Sequence, residues 1–243
     1  MAIQCLGGFA VLRNGAAVPL AEWKSRKARD LVKMLISRNG RPVHRSVLLD
    51  LLWPDEPPER TSSRLSVTLS TARAVLDPAK VHPAGWFLAA DNDTIGLAVD
   101  HVEVDALRFL DLAGRALAHR KDGPSPAALD ALAEAEAAYV GDAFPEDPYE
   151  DWAVSLRERA RAAYTAVART LADDAAAAGD TATAVRCYLR VLEHDGFDEG
   201  AHLGLVVSQL AAGQQGEARR SYRAYCTRMD ELGVEAAPFP TGV

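Results

Sequence analysis

In the last third of the chain four matched positions recur at one spacing. Leu171 pairs with Leu205, Ala178-Gly179-Asp180 with Ala212-Gly213-Gln214, Ala184 with Ala218 and Tyr188 with Tyr222, each 34 residues apart. A repeat of this length is one helical hairpin, with Gly at the tight turn and Ala where the paired helices approach. Such a hairpin leaves an apolar face that only a neighbouring hairpin covers, so the segment is committed to stacked helices. From His101 onward the composition is Ala-rich and helical, without a strand signal. It is broken at Lys121-Asp122-Gly123-Pro124-Ser125-Pro126, at Gly141-Asp142-Ala143-Phe144-Pro145 and at Asp147-Pro148.

The first hundred residues follow a different pattern. Ile3, Cys5, Leu6 and Phe9 to Leu12 read as short strands, and Asn14-Gly15 before Ala17 to Leu20 is a hairpin turn signal. From Ser25 the apolar period becomes helical: Ala28, Leu31, Val32, Leu35 and Ile36 form one stripe that ends at Asn39-Gly40. A second helix over Val43 to Leu52 turns Val47, Leu48, Leu51 and Leu52 inward. Trp53-Pro54-Asp55-Glu56-Pro57-Pro58 cannot be helical. A third helix, from Glu59 to Leu76, places Leu69, Ala72 and Leu76 within about 40° of Leu65 at 100° per residue. Gly85 to Ala89 and Thr94 to Val99, joined by Asp91-Asn92-Asp93, form a second hairpin. The order is strands, three helices, hairpin.

Charge divides at the same place. The whole chain carries −7, yet residues 1–100 hold 13 Lys+Arg against 10 Asp+Glu, and residues 101–243 hold 14 against 24. A basic segment joined to an acidic one predicts two domains, 1–100 and 101–243, with different partners. Three dispersed cysteines (Cys5, Cys187, Cys226) and six histidines without ligand spacing predict neither a disulfide framework nor a metal. The absence of a signal peptide, of a membrane span and of paired cysteines predicts a cytoplasmic protein. Phosphate-binding, dinucleotide-binding, zinc-protease and nucleophile-elbow motifs are absent, so the sequence predicts no enzyme and no cofactor. Glu134/Glu136 and Asp173/Asp174 read as solvated acidic surface, and Asp91-Asn92-Asp93 as a turn. Trp23, Trp53, Trp86 and Trp152 read as core or junction anchors.

Three helices followed by a hairpin, with a basic bias, predict a winged helix-turn-helix. Its third helix needs an outward face narrow and polar enough for the major groove. Arg60, Ser63, Arg64, Val67 and Thr71 supply that face as base contacts, Arg60 and Arg64 lying one turn apart. Lys24, Arg26, Lys27, Arg41 and Arg45, with His44 beside the last, are placed for phosphates. A solvated basic face on an ordinary helical domain gives the same pattern. Two alternatives therefore stay open: a protein-interaction module with a degenerate winged helix, and a ligand sensor using the helical repeats.

Three runs then resemble one family. They are Trp23-Lys-Ser-Arg-Lys-Ala-Arg-Asp-Leu31, Leu48-Leu-Asp-Leu-Leu-Trp-Pro-Asp55, and Leu65-Ser-Val-Thr-Leu-Ser-Thr-Ala-Arg-Ala-Val-Leu76. Together they resemble the streptomycete antibiotic regulatory protein family. Gly85-Trp86-Phe87-Leu88 is similar to its wing strand. Val102 to Phe109, Tyr139 to Phe144, Trp152 and Arg157-Glu158-Arg159 are similar to its bacterial transcriptional activator domain. The resemblance implies a mainly α fold with small β-hairpins, a response-regulator-type winged helix followed by a tetratricopeptide-like helical domain. It also implies an activator that binds direct repeats in double-stranded promoter DNA and recruits RNA polymerase, often for secondary metabolism. The helical half is expected to mediate protein contacts or a dimer of the chain itself, and the lack of a long apolar run predicts no membrane partner. Of the family's late basic run in the third helix only Arg73 carries over, as a phosphate contact, and Asp91 and Asp93 make the wing turn acidic. The stiff acidic loop before that helix assigns Asp55, Glu56 and Glu59 to the polymerase.

Overall fold

A computed structural model describes residues 1–121 and 123–241, with the side chains of Pro58 and Glu59 outside the described set. The described chain forms two compact units: Met1–Phe109 with Tyr139–Ala160, and Leu110–Ala138 with the residues from Arg161 onward.

In the first unit, β1 (Ala2–Gln4), β2 (Ala10–Arg13) and β3 (Ala16–Ala17) make an antiparallel sheet, with β7 (Glu103–Val104) parallel to β1 on its other edge. Asn14 and Gly15 both take positive φ, 50° and 80°, which a two-residue turn matched to strand twist requires. Helix α1 (Arg26–Ser37) buries Ala28, Leu31, Val32, Leu35 and Ile36 completely. It stops where Asn39 and Gly40 turn left-handed. Then follow β4 (Val43–His44), α2 (Arg45–Leu52), α3 (Pro58–Leu76), β5 (Leu88–Ala90) and β6 (Thr94–Leu97), the strands ordered β4-β6-β5. Three helices thus pack beside a three-stranded wing. In α2 the buried residues are Leu48, Leu49 and Leu52; Val47 is exposed and Leu51 half-buried. The helix begins two residues later than its apolar stripe suggests, because Val43 is taken into β4.

The charge division at residue 100 does not coincide with the units. Helix α4 (Asp105–Lys121) opens inside the first, where the Asp105 carboxylate accepts from the amides of Cys5 (2.8 Å) and Leu6 (3.1 Å). The loop 139–150 joins the same sheet: Gly7 N–H donates to Asp142 O (2.9 Å) and Phe144 N–H to Cys5 O (2.8 Å). Lys33 of α1 is 2% exposed, and its ammonium lies 2.6 Å from Asp147 and 2.7 Å from Glu146. The Arg157 guanidinium, also buried, donates to the carbonyls of Ala143, Asp147 and Pro148. A composition count does not see that a buried lysine in one segment requires a carboxylate from another.

The second unit holds α4 from Leu110, α5 (Pro126–Ala138), α6 (Asp151–Ala177) from Arg161, α7 (Thr181–His194), α8 (Glu199–Ala211) and α9 (Gln215–Glu231). The repeat is realised as hairpins turning at Gly179 (φ 79°) and Gly213 (φ 74°), and both Ala184 and Ala218 are fully buried. Gly204 is the close approach: a Cβ there would lie 2.3 Å from the Tyr188 ring. The two tyrosines of the repeat are not equivalent. Tyr188 is buried and donates to Asp173 (2.6 Å), whereas Tyr222 is half-buried and donates to Ala237 O in the extended C-terminal segment (2.7 Å).

One member of each acidic pair read as solvated surface is internal, while Glu134 and Asp173 are exposed. Glu136 is 5% exposed, bound by Arg186 (2.9 Å) and Arg190 (3.0 Å), and Asp174 is clamped by both ends of the Arg120 fork. Acidic residues in an Ala-rich helix have no apolar period of their own, so only the opposing arginines reveal their burial. No helix among the described residues is long and apolar enough to cross a membrane.

Candidate nucleic-acid interface

Helix α3 starts cleanly because Pro58 occupies its first turn, where a missing N–H costs nothing. Its inner face, Thr61, Leu65, Thr68, Leu69, Ala72, Val75 and Leu76, is buried. The outer face carries Arg60, Ser63, Arg64 and Val67, all exposed, with Ser62, Ser66, Ser70 and Ala74 beside them. Val67 is 66% exposed on a helix whose neighbouring outer positions are serine or arginine. Small polar side chains let a helix approach base edges, and an apolar one among them suits a thymine methyl. Thr71 sits at the margin, half-buried, its hydroxyl returned to Val67 O (3.0 Å). Ser70 is outward as its place on the face opposite Leu65 implies; Ser62 and Ser66 are outward too, and their i, i+4 spacing is the signal for them.

Arg64 is held from two sides. Its Nη1 bonds the Glu56 carboxylate, and its guanidinium carbon stands 5.7 Å from the centre of the Trp53 ring. That hydrogen bond holds the Glu56 carboxyl below its ordinary range and raises the arginine. Glu56, expected at the polymerase, is thus bound to a side chain of α3. Asp55 is exposed beside it, and the side chain of Glu59 lies outside the described residues.

The residues expected at phosphates divide. Lys24, which closes the single 3-10 turn Leu20–Trp23 with φ 52°, and His44, in the cap position of α2, are exposed; Lys27 is half-buried. Lys24 borders a shallow cleft of about 410 Å³ with Ser70, Thr71 and Ala74, so it is brought to the flank of α3. Arg26 is 71% exposed and lies 3.8 Å from both Asp30 and Asp147. Arg45 and Arg73 brace the wing. Arg45 donates its amide to Asp93 O (2.8 Å) and Nε to Asp91 O (3.3 Å). Arg73 donates Nε and Nη2 to Leu88 O (3.1 and 2.7 Å), and partial burial lowers its pKa. The Asp91 carboxylate closes the wing turn by accepting from the amides of Asp93 (2.8 Å) and Thr94 (2.6 Å) and from the Thr94 hydroxyl. These bonds hold its pKa low. Of the four tryptophans, Trp23 and Trp152 are core and Trp53 is half-buried. Trp86 is 37% exposed, stacked between His101 and His82.

The sequence profile of the bacterial transcriptional activator domain matches residues 104–240, more than half of the chain. The chain belongs to that family. Regulatory protein AfsR of Streptomyces coelicolor is 29% identical over 238 residues, which is 93% of this chain and 23% of that protein. The chain thus spans about a quarter of the length of that relative. The solved structure of Mycobacterium tuberculosis EmbR, in complex with a low-affinity phosphopeptide, aligns with a TM-score of 0.76 at 22% identity. The alignment covers 98% of this chain and 62% of that one. At that identity the likeness concerns the fold: a small mixed winged-helix unit followed by helical hairpins. The family's profile begins at the end of β7, so its first residues and the loop around Asp147 belong to the first compact unit.

Proposed function

We propose that this chain is a sequence-specific DNA-binding transcription activator in which α3 enters the major groove. The observation that carries the reading is the outer face of α3. Arg60, Arg64 and Val67 stand on a rigid helix among serines, with the opposite face packed into the core. Arginine forks suit guanine, and Lys24, Lys27 and His44 supply charge for phosphates at the flanks. Arg73 and Arg45 act one step back, fixing the wing against α3 and α2. Selecting bound sites from random duplex DNA with the full chain tests the reading. It expects a short enriched motif, repeated in tandem if two copies bind together; failure to enrich any motif overturns it.

Activation requires a polymerase contact, and the acidic loop Asp55 to Glu59 is our assignment for it. Pro54 just before the segment and Pro57 and Pro58 within it make it stiff, so little ordering accompanies binding. Asp55→Ala with Glu59→Ala, sparing Glu56, should keep promoter binding and reduce transcription with purified polymerase. Unchanged transcription would leave the loop a connector. The internal bonds of Arg45 and Arg73 and the acidic wing turn favour a second reading, in which the helical repeats are an interaction or ligand-sensing module. That reading expects DNA affinity nearly independent of salt.

A further inference from the structure

We infer that Glu56 is a specificity-determining positioning residue, which holds Arg64 so that a defined edge of its guanidinium faces the groove; this rests on α3 being the reading helix. Arg64 could present any of its N–H groups to a base if its side chain were unrestrained. Here Nη1 is bonded to Glu56 Oε2, leaving the Nε–Nη2 edge for a bidentate contact to guanine O6 and N7. Trp53 covers one face of the same guanidinium.

Both clamps come from one turn. The Glu56 amide donates to Trp53 O (3.2 Å), so the backbones that carry ring and carboxylate are held in one turn, and the Trp53 amide is tied back to Leu49 O of α2 (2.8 Å). Pro54 lies between Trp53 and Glu56, Pro57 follows Glu56, and both restrict the chain. An exposed arginine gripped on a face and at one nitrogen loses little freedom when it meets a base, which is how preorganisation becomes discrimination.

An ordinary surface ion pair explains the contact as well, but predicts something different. Exposed pairs contribute little to stability, and a carboxylate near phosphates opposes binding to every sequence alike. If Glu56 only decorated the surface, removing it would raise affinity for all duplexes and leave the preferred motif intact. If it positions Arg64, removing it raises affinity for random duplex and flattens the preference at one base pair.

The test is site selection from random duplex DNA with the full chain as wild type, Glu56→Ala, Glu56→Gln, Arg64→Ala and the Glu56→Ala/Arg64→Ala double variant. Glu56→Ala should flatten one position about tenfold, within the discrimination a bidentate pair contributes. Arg64→Ala should flatten the same position, the double variant should go no further, and melting temperatures should stay unchanged. Glu56→Gln keeps an acceptor for Nη1 and should restore part of the preference. A motif in Glu56→Ala identical to wild type, or weakened evenly at all positions, overturns the inference alone. No motif from the wild-type chain overturns the reading of α3, and this inference with it.

Discussion

The two units treat buried charge in opposite ways. In the first, Lys33 and Asp147 are both dry, 2% and 7% exposed at the side chain, and neither has solvent to turn to. In the second the anion alone is buried. Glu136 is 7% exposed at the side chain, while its partners Arg186 and Arg190 stay 49% and 35% exposed. Arginines of this kind snorkel, covering apolar surface with their stems while their heads reach water. The difference teaches where each unit is brittle. When half of the dry pair is removed, what remains has only a longer or more solvated partner, Arg26 at 3.8 Å for Asp147 and the part-exposed Glu146 for Lys33, whereas a rim arginine turns to water.

Lys33→Ala is the most direct way to break that comparison. It leaves the buried Asp147 with only the exposed Arg26, 3.8 Å away, and should destabilise the first unit by up to about 3–5 kcal/mol, read from urea unfolding of the full chain. Lys33→Met should recover part of the loss through packing. A fragment of residues 1–100, which lacks Asp147 and the loop around it, should unfold far more readily than the full chain. Within the second unit, Tyr188→Ala should cost about 3–5 kcal/mol because the ring is buried against Gly204. Tyr222→Ala, half-buried, should cost clearly less. Equal losses would restore the equivalence that the repeat implies. Glu136→Ala should cost about 1.5–3 kcal/mol, the range for hydrogen bonds to a charged group. A loss as large as that of Lys33→Ala would erase the contrast between the units.

The smallest effect lies in the wing. The Asp91 carboxyl is held below its ordinary value of 3.8 by the amides of its own turn. Its contribution is therefore present above that value and is lost as pH falls through the lower, folded one. The protection factors of the Asp93 and Thr94 amides, which take out the intrinsic pH dependence of exchange, should fall only in that acid range. Loss of protection near neutral pH would mean that the turn is held by something other than this carboxylate.

Local chemistry was legible in the sequence and cross-chain chemistry was not. Asn14-Gly15, Asn39-Gly40, Gly179 and Gly213 declared their turns because a positive φ selects those residues. The inner stripe of α3 declared itself by period, through Leu65, Leu69, Ala72 and Leu76. Strands of two residues, such as β4 and β7, carry too little alternation to be seen, and a stripe counted from Val43 points to Val47 where Leu49 is the buried residue. The clamp on Arg64 comes from a residue eight positions earlier across a proline loop, and Lys33 meets its carboxylate 114 residues away. Neither spacing belongs to any helix or strand period, so the site face was legible while the groups that orient it were not.

The claim that α3 reads bases is tested most directly by titrating a selected duplex and a random duplex with wild type and Arg64→Ala across a salt series. The account predicts that Arg64→Ala loses about 1–3 kcal/mol on the selected duplex and much less on the random one. Equal losses on both would make Arg64 a phosphate contact and contradict the assignment of α3 as the reading helix.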